Sequence, residues 1–233
     1  MITNSNKFAY LKKAADIATL AMEDVRKWIK TNKTELEVKN HLVRFMFKHG
    51  ANGLSFDPII AFGKNGAEPH HKPNSTKLKN NQLVTIDIGC KYKGYCSDLT
   101  RTFFVGTKPT KEQKAIFNLI YKAQKLGLAK AKVGIKACNL DSIVRNYISK
   151  NSKRWGKLFI HGLGHGVGKQ IHEEPYIKQK NESKLKNNDV ITIEPGVYEK
   201  GFGGVRIEDT IIIKSKGIIN LTEKASKDFF VKK

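Results

Sequence analysis

Two short apolar runs in this sequence each carry a carboxylate where a carboxylate is least welcome. Asp87 interrupts Val84-Thr85-Ile86-Asp87-Ile88, and Glu194 closes Val190-Ile191-Thr192-Ile193-Glu194. An acid inside a strand core is costly unless a proton, a cationic side chain or a metal ion meets it. A second acid follows each one, Asp98 after the first and Glu208 after the second. With Tyr92-Lys93 as a two-residue hairpin loop, Lys91 faces Gly94 and Asp87 faces Asp98. Opposed strand residues hold their Cβ atoms about 4.5–5.5 Å apart, so the paired charges need a proton or a cation between them. A fifth group is His165, around which Gly162, Gly164, Gly166 and Gly168 alternate and let backbone approach closely. Asp87, Asp98, His165, Glu194 and Glu208 form a hard, oxygen-rich donor set. With bridging carboxylates such a set can hold two divalent ions about 3.5–4 Å apart and activate a shared hydroxide. Mn2+ suits the shell best, and Zn2+, Co2+ and Fe2+ are also compatible with it.

The elements that must position these groups are legible from periodicity. Ala14, Ala18, Met22, Val25 and Ile29 recur at steps of three and four, predicting a helix over Lys7–Lys30. Thr34 with Glu37 forms a capping box for a second helix that ends at Gly50. Strands are expected around Asp57–Phe62, Leu83–Cys90 and Tyr95–Val105. Thr110 with Gln113 opens a third helix, a fourth lies near Asn139–Ser149, and strands return around Val190–Ile193 and Val205–Ile213. The order is internally repeated: Val84–Tyr95 resembles Val190–Phe202, with Lys93-Gly94-Tyr95 answering Lys200-Gly201-Phe202. Two matched halves, each helices followed by a hairpin, predict a pseudo-two-fold α+β fold in which helices back one curved antiparallel sheet.

Composition narrows the alternatives. The chain has 233 residues, 43 Lys+Arg, 21 Asp+Glu and a formal charge of +22. That charge invites a polyanion partner. Only six of the basic residues are Arg, however, and the lysines form no block and interleave with no aromatics, so no dedicated nucleic-acid site is expected. No apolar stretch is long enough for a membrane span, and no signal peptide is visible. Cys90, Cys96 and Cys138 make no disulfide framework or zinc knuckle, which points to a reducing, cytoplasmic setting. The glycine run lacks the residues of a phosphate-binding loop, with Leu163 and Gln170 at the decisive places, and His172-Glu173 lacks the second His of a zincin.

Taken together, four stretches resemble the pita-bread metallopeptidase family, and within it the Xaa-Pro peptidase branch. They are Phe56–Pro73, Val84–Gly106, His161–Gly168 with His172-Glu173, and Thr192–Thr210. The resemblance spans essentially the whole chain and implies Asp87, Asp98, His165, Glu194 and Glu208 as ligands of a dinuclear metal centre. It also implies that His70, His161, His172 and Arg206 act around a peptide substrate. In the implied hydrolysis Glu194 takes a proton from the attacking water and His172 stabilises the oxyanion, while His161 and His70 position the substrate. Tyr198 is a weaker candidate for shaping the site, with strand packing as its main reading. The implied activity is removal of an N-terminal residue from proline, as an Xaa-Pro aminopeptidase. The alternatives are an Xaa-Pro dipeptidase, a methionine aminopeptidase or a non-catalytic binding module of the same fold. Residues 1–233 read as one catalytic domain without the N-terminal domain common in the branch, which leaves a homodimer open.

Overall fold

A computed structural model describes residues 4–231. The first half opens with helices α1 (Asn4–Trp28) and α2 (Glu35–Lys48). Strands β1 (Gly53–Leu54), β2 (Ile59–Phe62), β3 (Gln82–Ile88), β4 (Cys90–Tyr92), β5 (Tyr95–Cys96) and β6 (Leu99–Val105) follow. The second half repeats the plan with α3 (Lys111–Lys130), α4 (Ala137–Asn151) and the short α5 (Lys153–Gly156). Its strands are β7 (Gly164–Gly166), β8 (Glu173–Ile177), β9 (Val190–Ile193), β10 (Gly196–Glu199), β11 (Gly203–Arg206), β12 (Asp209–Lys214) and β13 (Gly217–Asn220). A 3-10 turn at Gly63–Ala67 joins β2 to the loop before β3.

Both capping boxes form as the sequence predicts. Thr34 accepts from the Glu37 amide while Glu37 accepts from the Thr34 amide, and Thr110 with Gln113 does the same. Each box satisfies amides that a helix start leaves without partners. The apolar stripe of α1 is fully buried through Ala14, Ala18, Met22 and Val25, against β3 and β6 residues such as Val84, Ile86 and Phe103. A second core packs Ile116, Ile120 and Ala123 of α3 and Leu140 and Val144 of α4 on Ile191, Ile193 and Ile211. A third cluster joins the two, with Leu11, Ala15, Tyr95 and Cys96 packed against Val167, Val190, Ile212 and Leu221. Arginines fasten many of the remaining junctions: Arg26 donates to the Asp228 carbonyl, Arg101 pairs with Asp209, and Arg145 pairs with Asp141.

Two expectations are corrected. The strands do not form one continuous sheet; they form four antiparallel ladders, β1-β4-β5, β2-β3-β6, β10-β11 and β13-β12-β9-β7-β8. The first hairpin turns one residue later than expected. Tyr92 pairs with Tyr95, so the loop is Lys93-Gly94, and both residues have positive φ (51° and 80°). That geometry matches the right-handed strand twist and favours glycine at its second position. The later turn places Asp87 opposite Thr100, not Asp98.

Candidate metal centre

The four acids and the imidazole converge from five places in the chain. Asp87 lies within β3 and His165 is the middle residue of β7. Asp98, Glu194 and Glu208 all sit in breaks between strands: β5 to β6, β9 to β10, and β11 to β12. The ladders on either side, Ile193 with Asp209 and Gly196 with Arg206, bring Glu194 and Glu208 across from each other at the break. Around His165 the glycines are required by space. A Cβ on Gly164 would lie 2.0 Å from the Thr192 carbonyl oxygen, and one on Gly166 would lie 2.4 Å from that of Glu174.

Ligand-capable atoms of Asp98, His165 and Glu208 lie within 4.8 Å of one another. His165 Nε2 is 3.5 Å from Asp98 Oδ2 and 3.3 Å from Glu194 Oε1. Its Nδ1 is 3.0 Å from the Gly166 carbonyl oxygen, to which it donates, leaving the Nε2 lone pair facing the acids. Threonines steady the carboxylates. Thr100 Oγ1 donates to Glu208 Oε2 at 2.7 Å, and Thr192 Oγ1 donates to Glu194 Oε1 at 3.2 Å.

Crowding shows in the electrostatics. Burial, then the neighbouring Glu208, Asp87 and Glu194 charges, raises the Asp98 carboxyl well above the usual range. Burial, then Glu194 and Asp87, does the same to Glu208. Burial pushes Glu194 up to about 8, with Arg206 opposing and Asp87 adding to the rise. Asp87 Oδ1 is buried with no hydrogen-bond partner among the described residues. An orphaned carboxylate oxygen beside three acids that resist ionisation is a site short of positive charge. The residues therefore fit a divalent-cation centre, with carboxylate and imidazole donors suited to Mn2+, Zn2+, Co2+ or Fe2+.

All nine residues singled out from the sequence line one cavity of about 440 Å³: His70, Asp87, Asp98, His161, His165, His172, Glu194, Arg206 and Glu208. His172 packs edge-on to His165, with ring centroids 4.4 Å apart, and burial lowers its pKa. Burial, reinforced by Arg206, drives the His161 pKa down to about 4, so its ring is neutral. Arg206 is buried, and its guanidinium reaches Asp87 Oδ2 at 2.7 Å. Tyr198 takes the lesser of its two expected roles and shapes the site. Its hydroxyl accepts from Arg206 Nη1 at 2.8 Å and lies 2.8 Å from His161 Nε2. Since His161 Nδ1 donates to the Gly162 carbonyl at 2.7 Å, Nε2 is the acceptor and Tyr198 the donor. His161 is further held by Asp141 and Arg145: Asp141 accepts from the Leu163 amide at 3.0 Å, and Arg145 donates to the His161 carbonyl at 2.7 Å.

A glycine-flanked imidazole among four buried acids, walled by further histidines, belongs to a class of metal-dependent hydrolytic centres. The profile of metallopeptidase family M24 matches residues 9–215, and the chain belongs to that family. An uncharacterized peptidase of Staphylococcus aureus strain USA300 is 39% identical over 221 residues, covering 95% of this chain and 62% of the relative. Among solved structures, the Xaa-Pro dipeptidase from Bacillus anthracis superposes with a TM-score of 0.93 at 40% identity, covering 98% of this chain and 63% of that one. The prolidase from Pyrococcus horikoshii OT3 gives 0.94 at 41%, covering 98% and 65%. The X-Pro aminopeptidase from Thermotoga maritima gives 0.92 at 35%, covering 99% and 64%. The pita-bread fold implied by the family resemblance is thus the fold of the chain. Its length spans under two thirds of the relatives named here. Among the described residues no helix is long and apolar enough to cross a membrane.

Proposed function

We propose that the chain is the catalytic part of an Xaa-Pro exopeptidase that works with two divalent cations held by Asp87, Asp98, His165, Glu194 and Glu208. The observation that carries the reading is the buried Asp98–His165–Glu208 cluster, with Glu194 3.3 Å from His165 Nε2 and an unpartnered Asp87 oxygen in the same cavity. When bound, the cations supply a nucleophilic oxygen at neutral pH and polarise the scissile carbonyl. Glu194 takes the proton from the attacking water and returns it to the leaving proline nitrogen. His172, with its pKa lowered by burial, offers a neutral N–H to the developing oxyanion. His70 binds substrate from the exposed side of the cavity. His161 is fixed by Tyr198 and shapes the pocket as a neutral ring. Arg206 orients Asp87 by direct pairing.

The test is a panel of Xaa-Pro-Xaa, Xaa-Pro and Met-Ala-Xaa peptides assayed with added Mn2+, alongside metal analysis. Release from the proline peptides with about two bound ions per chain is expected. Cleavage of Met-Ala-Xaa alone overturns the branch assignment, and less than one ion per chain with no hydrolysis favours a binding module. The dipeptidase reading gains weight from two neighbours near 40% identity that carry dipeptidase or prolidase names, against 35% for the aminopeptidase. A profile confined to Xaa-Pro dipeptides selects it.

A further inference from the structure

Glu35, the first residue of α2, has no exposed surface and lies outside the carboxylate cluster. Four donors converge on its carboxylate. Oε1 accepts from the Phe62 amide at 2.9 Å and from Asn65 Nδ2 at 2.8 Å. Oε2 accepts from His71 Nε2 at 2.8 Å and from the Asn74 amide at 3.1 Å. Phe62 and Asn74 bracket the segment that carries the 3-10 turn, Pro69 and His70. One side chain therefore ties down both ends of that segment and, through His71, its middle.

What the segment is tied against is the wall of the site. The 3-10 turn presses on β11 so tightly that a Cβ on Gly203 would lie 2.5 Å from the Gly63 carbonyl oxygen. One on Gly204 would lie 2.2 Å from that of Gly66. Further along β11, Arg206 Nη1 reaches back to the Pro69 carbonyl at 3.4 Å. His70, next in the chain, lines the cavity, and its side chain has no hydrogen bond among the described residues to hold it. Its place is set by the backbone on either side.

We propose that Glu35 is a positioning residue that straps residues 62–74 onto β11 and thereby sets His70 at the cavity. Its carboxylate is the right group because both oxygens must accept. A glutamine side chain there would turn an NH2 toward main-chain donors at one end or the other, and a backbone N–H has no acceptor form. The kinetic part of the proposal rests on the exopeptidase reading above; the structural part does not.

The test uses the full, metal-loaded chain with Glu35→Gln, His71→Ala and His70→Ala. Hydrogen exchange of peptides covering 62–76 is expected to rise at least tenfold in Glu35→Gln and by less in His71→Ala, with α1 and β9 to β12 unchanged. Against Xaa-Pro peptides, Glu35→Gln is expected to lower kcat/KM tenfold or more, through the same parameter, KM or kcat, that His70→Ala changes. In the His70→Ala background it should cost less than a further twofold, because the residue it positions is gone. Unchanged exchange in both Glu35→Gln and His71→Ala overturns the strap. A full multiplicative loss in the double variant overturns the action through His70. If Glu35→Gln does not fold, His71→Ala and its His70→Ala double carry the same two criteria. If the wild-type chain cleaves no peptide, the exopeptidase reading fails, and the exchange measurement still decides the strap.

Discussion

Stripping cations from the chain should make its stability fall as pH rises toward neutrality, a direction opposite to that of most carboxylate effects. The reason lies in the acid cluster. Burial holds Glu194 at about 8 against an ordinary 4.5, and Asp98 and Glu208 are raised as well. A carboxyl whose folded pKa is raised binds its proton more tightly when folded. Its contribution is complete below the unfolded pKa and is lost as pH rises through the folded one. For Glu194 that window runs from 4.5 to about 8. At about 1.36 kcal/mol per pH unit this one residue accounts for about 5 kcal/mol, a large part of the 5–15 kcal/mol of a typical domain. The three units between pH 5 and 8 carry about 4 kcal/mol of this, and at about 2–4 °C of Tm per kcal/mol for a chain of this length the metal-free protein should lose about 8–16 °C across them. Bound divalent ions replace the protons and should remove most of that slope. The assay is thermal unfolding by circular dichroism at intervals from pH 5 to 8, after chelation and after Mn2+ reloading. Differences in overall charge repulsion largely cancel between the two series. Glu194→Gln, which has no proton to lose, should flatten the metal-free curve. Parallel curves with and without cation would refute the reasoning.

Three further outcomes are expected. Tyr198→Phe removes the hydroxyl between Arg206 and His161, so kcat/KM should drop about tenfold while metal content stays at the wild-type value, because the ligand atoms are untouched. Gly164→Ala cannot be accommodated without moving backbone at Thr192; metal stoichiometry should fall, and urea titration should show a loss of about 1–3 kcal/mol. Asp209→Ala strands Arg101 and Lys227 in the interior beside Glu208, and chemical denaturation should register a loss of about 3–5 kcal/mol.

The site was largely readable because its groups break a pattern. Asp87 and Glu194 stand out as acids in apolar strands, and His165 stands out among alternating glycines; His70, His161, His172 and Arg206 came only from the family resemblance, and they line the same cavity. The helix starts were readable because a capping box is local chemistry. The hairpin register was not. Tyr92-Lys93 and Lys93-Gly94 are both two-residue loops, and only the backbone shows that the positive-φ pair is the second. The roles of Tyr198 and Glu35 were hidden for another reason. Each acts through partners far away in sequence, 37 residues for Tyr198 with His161 and 36 for Glu35 with His71, and nothing near either residue advertises the contact.

The two halves are fastened to each other well beyond the acid cluster, because a third apolar cluster sets Leu11, Ala15, Tyr95 and Cys96 against Val167, Val190, Ile212 and Leu221. The exposed link at Thr107 and Lys108 separates a piece holding Asp87 and Asp98 from a piece holding His165, Glu194 and Glu208. A chain cut there would leave only part of the chelating set in each fragment and would divide every one of the apolar clusters. A bound cation would draw ligands from both pieces, while the shared apolar cluster and the buried Arg101–Asp209 pair join them independently of it.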